Sequence, residues 1–139
     1  MAQGFNPDGL WYEPGSGYSQ GVVQHEGKVL HVTGQIAWDA ENRIVGKGDP
    51  GAQARQILKN IETILASAGG VMDDIVSMTI FYTDRAQVPA ISAARNEAFA
   101  PNRGPVSIYI QAAGLIDPDW LVEMAPIAVI PSERFREPA

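Results

Sequence analysis

Apolar residues at Ala54, Ile57, Leu58, Ile61, Ile64, Leu65 and Ala68 recur at steps of three and four, the spacing that lines one face of an α-helix. Asp49 followed by Pro50 reads as an N-cap with proline at the first helical position, and Gly69 with Gly70 supplies the stop. A helix is therefore predicted from Asp49 to Gly69. A second, shorter one follows Pro89, with Ile91, Ala94, Ala98 and Phe99 on one face, and ends before Pro101.

Between the helices, Asp74 to Thr83 carries Ile75, Val76, Met78, Ile80, Phe81 and Tyr82, too short and too β-branched for a helix, so a buried strand is predicted. Val106 to Ala112 and Leu121 to Ile130 read as two further strands, joined by a linker with Asp117, Pro118 and Asp119. Near the start, Tyr18 to Gln24 and Lys28 to Ile36 flank Glu26 and Gly27 as a predicted hairpin. In that register Tyr18, Gln20, Thr33 and Gln35 share a face. Residues 1–17, rich in Gly, Pro, Asn and Ser, are expected to form an irregular arm, and residues 131–139 a tail.

The order is ββαβαββ, an α+β fold with a mixed sheet and both helices on one face. Several strands are apolar at both parities, so the second face needs a cover, and another copy of the chain is the natural one. With 139 residues, 45% hydrophobic and 19% charged, composition adds only that one ordinary domain spans 1–139.

Charge and chemistry narrow the function. A formal net charge of −6 argues against a nucleic-acid partner, and the lack of cysteine excludes disulfides and thiolate chemistry. The first residues lack an export signal and no run approaches the ~20 apolar residues of a membrane span, so a cytoplasmic protein with no membrane partner is expected. His25 and His31 face Lys28 and Val22 in the hairpin register, not each other, so no metal is expected and surface or hydrogen-bonded histidines are the default. Asp73 with Asp74 reads as a solvated turn, and Arg134 with Arg136 as solvated tail charges.

Glu123 stands out as the only charge in the run Leu121 to Val129. A buried carboxylate there must be hydrogen-bonded or used; an edge strand, which Pro126 favours, would let it face water instead. Both readings stand at this level.

Several segments together resemble the reactive-intermediate deaminase (Rid, or YjgF) superfamily. Gly17-Tyr18-Ser19-Gln20-Gly21-Val22 is similar to its Gly-Pro-Tyr-Ser-Gln-Ala-Val, and Thr33-Gly34-Gln35-Ile36 to its Ser-Gly-Gln-Ile. The helix from Gln53 to Gly69, Asp74-Ile75-Val76 with Thr79, Asn96 to Phe99, and Glu123 with Ile127 to Val129 continue the likeness. The resemblance implies a chorismate-mutase-like trimer that binds a small molecule in clefts between subunits and hydrolyses imines or enamines with no cofactor. It places Tyr18 and Glu123 in catalytic roles, with Thr33 and Gly34 binding substrate.

One residue departs from the pattern. Counting from Pro105, Ser107 falls where the family carries an arginine, and a hydroxyl offers one neutral donor in place of a two-pronged cation. Arg103, four residues upstream in the loop, is the candidate replacement. The expected substrates are therefore imines without an α-carboxylate, and a non-catalytic trimer that binds a small ligand is the competing reading.

Overall fold

The computed structural model describes residues 3–139. Its organising element is helix α1, Pro50–Ser67, whose start is fixed by the Asp49 side chain accepting from the Ala52 N–H at 3.0 Å. Ile57, Ile61 and Leu65 are fully buried along one side. Each such side chain removed from water contributes about 1.5–3 kcal/mol. Helix α2, Val88–Ala98, packs beside α1 on the same side of the sheet and adds Ile91 and Ala94 to the same core.

The main sheet has four strands in the order β3, β6, β4, β5, with β3 at Lys28–His31, β4 at Ile75–Tyr82, β5 at Val106–Gln111 and β6 at Val122–Ile130. β4 and β5 run parallel with α2 as their crossover, whereas β6 lies antiparallel to both β3 and β4. This is the mixed sheet that the residue pattern predicts. Side-chain parity divides its faces. Met78, Ile80, Val122 and Met124 point to the helices and are buried. Phe81, Glu123 and Ile110, joined in one row by the pairings Phe81 to Glu123 and Phe81 to Ile110, point the other way.

Gln53, on the first turns of α1, ties the β5–β6 linker to the helix. Its buried amide donates to the Asp119 carbonyl at 2.9 Å and to the Gly46 carbonyl at 3.2 Å, and accepts from the Leu121 N–H at 2.9 Å. Every polar group of that side chain is engaged, so the linker enters β6 in a fixed register.

The predicted hairpin does not form. β2, Gly21–Val23, pairs instead with β1, Gln3–Phe5, inside the arm expected to be irregular. β3 pairs with β6, Val29 opposite Val129 and Leu30 opposite Ala128. Two contacts explain the choice. The Phe5 ring occupies the space over Gly21 that a Cβ would fill, and Gly27 lies against the Ile130 carbonyl. The shared face of Tyr18, Gln20, Thr33 and Gln35 disappears with that register. Gln20 bonds to Asn6 and to the Trp11 carbonyl, while Gln35 exchanges backbone hydrogen bonds with Met124.

The charges at the far end also differ from expectation. Asp74 is fully buried and receives both prongs of Arg134, Nη1 to Oδ2 at 3.0 Å and Nη2 to Oδ1 at 2.6 Å. Its Oδ2 also accepts the Val71 N–H. The Arg136 side chain donates to the Ala66 carbonyl and its backbone N–H to the Ala68 carbonyl at the α1 C-terminus. These side chains are a strap, because the end of a helix leaves carbonyls that need donors.

Candidate functional site

Glu123 leaves β6 on the face away from the helices, half-buried, in the row formed with Phe81 and Ile110. Gly34, just beyond β3, lies over its carboxyl group: a Cβ added at Gly34 would sit 2.9 Å from Glu123 Cδ and 3.1 Å from Oε1. The backbone at Gly34 has no positive φ, so space rather than conformation demands glycine. Among the described residues, no hydrogen bond or ion pair engages the Glu123 carboxylate. Thr33, which precedes Gly34 in the chain, is exposed. Of the residues singled out in the sequence, the structure brings Gly34 and Glu123 to one place.

Tyr18 lies elsewhere. Ser19 anchors that segment to the start of β5, its N–H on the Pro105 carbonyl at 3.2 Å and its hydroxyl on the Gly104 carbonyl at 2.6 Å. The Tyr18 ring packs on Tyr12 at 5.0 Å, and the Tyr12 hydroxyl donates to the Tyr18 carbonyl at 2.6 Å. Burial raises the Tyr12 phenol pKa, Tyr18 adds to the rise, and the positive charge of Arg95 opposes it.

That arginine is the residue the sequence reading missed. Arg95, on α2, is only 5% exposed. Its guanidinium stands 5.2 Å from the Tyr18 ring centre and 5.5 Å from that of Tyr109. A signal was present: position 95 is four after Ile91 and three before Ala98, on the apolar face of the helix.

Ser107 does not face Glu123. Its strand partner is Met78 in the core, and Tyr109, two residues on, bonds Ser92 of α2, so Ser107 points to the helix side. Its hydroxyl is buried without a hydrogen-bond partner. Arg103 is exposed in the loop, with no side-chain partner among the described residues. His25 also differs from expectation, since both ring nitrogens are buried and unpartnered.

Two half-sites result. One, with Gly34 and Glu123, opens on the free face of the sheet; the other, with Tyr18, Arg95 and Tyr109, sits at the β5 edge on the helix side. β4 lies between β6 and β5, so two strand spacings, about 10 Å, separate them along the sheet. No group of three or more His, Cys, Asp or Glu side chains among the described residues could hold a metal ion.

Residues 12–130 match the model of the family described as Endoribonuclease L-PSP. The chain belongs to that family. Solved structures agree across most of its length. A protein of unknown function of the conserved Rid protein family, YyfB from Yersinia pestis, is 30% identical over 93% of this chain and 98% of its own, with a TM-score of 0.77. RidA from an Antarctic Psychrobacter is 25% identical over 76% of this chain and 84% of its own, with a TM-score of 0.68. Rv2704 from Mycobacterium tuberculosis, of the YjgF/YER057c/UK114 family, is 28% identical over 94% of this chain and all of its own, with a TM-score of 0.64. Both half-sites fall inside the span shared with the L-PSP family, whereas β1 and the Arg134 strap fall outside it.

Proposed function

We propose that this L-PSP family chain is a hydrolase of small imines or enamines, working at clefts where the Glu123 half-site of one copy meets the Tyr18 half-site of another. Water attacks the C=N carbon while the Glu123 carboxylate takes its proton. That proton passes to the imine nitrogen, giving a carbinolamine. Its hydroxyl proton then moves to the same nitrogen by way of the carboxylate, the C–N bond breaks as C=O forms, and a carbonyl compound and ammonia leave. A half-buried carboxylate that no other side chain among the described residues engages suits this work.

The observation that carries the reading is the bare Glu123 carboxylate beneath Gly34, on a sheet face that is otherwise largely apolar. Ile108, Ile110 and Val29 on that face are 59%, 42% and 51% exposed in the single chain. A face of that kind favours burial against further copies, and a trimer is the assembly we propose. The net charge of −6 favours a small ligand over RNA, despite the family's description.

The test is ammonia release from imines generated in situ, one set bearing an α-carboxylate and one uncharged. We expect release above the spontaneous rate, lowered roughly 100-fold or more in Glu123→Gln. Unchanged turnover in that variant would remove Glu123 from the chemistry. Ligand binding with no turnover of either set would leave a binding trimer as the function.

A further inference from the structure

Three arginines of the chain, Arg43, Arg55 and Arg134, have carboxylate partners within ion-pair distance. Arg95 is more buried than any of them and has none among the described residues. Its Nε and Nη2 donate to one oxygen, the neutral side-chain Oδ1 of Asn96, at 3.3 and 3.0 Å. That oxygen already accepts the Gly17 N–H at 2.8 Å. A guanidinium has five N–H donors, and a single shared amide oxygen leaves most of them unused.

A buried cation without a counter-charge is costly. The faces of Tyr18 and Tyr109 offset part of the cost, since both ring centres lie within the ~6 Å over which a ring attracts a cation. Neither ring neutralises the charge. Packing alone does not explain the choice of residue, because a methionine or leucine would fill the gap between two rings without that penalty. The two rings, Asn96 and Gly17 instead hold a positive fork ready beside the tyrosine already placed in the cleft.

We propose that Arg95 is the anion-recognition residue of this protein, and that it binds the carboxylate of a small ligand. The inference rests on the reading of the cleft as a small-molecule site, and it reverses the preference for uncharged imines drawn from Ser107. The anion's hold comes from α2, not from β5. A planar carboxylate matches two parallel N–H donors, and its single charge balances the single cation. A phosphate dianion would leave an excess negative charge in a cleft walled by tyrosine rings.

Pyruvate and its amide, pyruvamide, are suitable probes because they differ only at the carboxylate, with inorganic phosphate as the third. Binding to the full-length protein is followed by calorimetry and by the NMR signals of Tyr18, Tyr109 and Asn96. We expect pyruvate to bind more tightly than pyruvamide or phosphate, and Arg95→Met to weaken pyruvate roughly 10-fold or more while weakening pyruvamide far less, so that the preference for pyruvate over its amide is lost. Arg95→Lys, which keeps the charge and loses the fork, should fall between, and it serves if the methionine variant does not fold. Equal binding of pyruvate and pyruvamide, equal binding of phosphate, or pyruvate affinity unchanged in Arg95→Met would each overturn the assignment. Imine turnover is a separate readout: if it survives while pyruvate discrimination is absent, only the role of Arg95 fails. If pyruvate binds through Arg95 with no turnover, only the hydrolase reading fails.

Discussion

Gly34 stands over the carboxyl group of Glu123 with no room for a side chain between them, 2.9 Å separating a hypothetical Cβ from Glu123 Cδ. Gly34→Ala should therefore displace the Glu123 carboxylate rather than the backbone, since the flexible end of a side chain moves more easily. The expected outcome is a fall in turnover of about 10-fold or more, with a stability change under about 1 kcal/mol. Paired kinetics and denaturant titration would show it. A variant that is fully active would mean that the carboxylate's position does not matter.

Ser107 offers a different test, because its hydroxyl is buried without a partner on the helix side of β5. Removing an unsatisfied polar atom should cost nothing and can gain up to about 1 kcal/mol. Ser107→Ala should leave ligand affinity unchanged and stability equal or higher. A clear loss of affinity would restore Ser107 to the site in which the sequence placed it.

The strap at Asp74 and Arg134 predicts a large effect far from the cleft. Arg134→Ala strips a fully buried carboxylate of its cation and should destabilise the fold by about 2–4 kcal/mol, the lower part of the range being favoured by the partial exposure of Arg134. Denaturation at a fixed protein concentration measures it. A loss below about 0.5 kcal/mol would make the strap an ornament of the tail.

Asp39 provides a pH prediction. The Arg43 backbone N–H, together with the Arg43 side chain and the Glu41 N–H, holds its carboxyl below the usual aspartate range, although desolvation pulls the other way. A depressed folded pKa stabilises above the unfolded value, near 3.9, and the contribution disappears as pH falls through the folded value. The 39–43 turn should thus be insensitive to pH from neutral to about 4 and loosen only below it. An Asp39 carboxyl NMR titration with a midpoint at or above the ordinary value would contradict this.

Much of this molecule was legible in its sequence because the information was local. The Asp49 cap, the α1 periodicity and the apolar runs of β4 and β6 each specify their element within a few residues, and all appear within a residue or two of the predicted bounds. Glu123 and Gly34 were legible as a motif. The partners of β2 and β3 were not, because a hairpin and two long-range pairings look alike until Phe5 is placed over Gly21 and Ile130 beside Gly27. Charge pairs across the fold were hidden for the same reason: Asp74 and Arg134 are 60 residues apart. Arg95 was passed over because a charged residue on an apolar helix face reads as an exception until its neighbours are known to be two tyrosine rings.

The proposed cleft requires the two half-sites to meet between copies of the chain, and the absence of cysteine makes that directly measurable. Gln20 and Thr33 are exposed, one beside Tyr18 and the other beside Gly34. The Gln20→Cys, Thr33→Cys double variant, treated with a short bis-maleimide at low micromolar concentration, should give covalent dimers and trimers on a denaturing gel, up to about three times the 14.9 kDa chain. Each single-cysteine variant should give far less. Only monomer in the double variant, with both thiols consumed, would place both half-sites in one subunit and contradict the shared cleft.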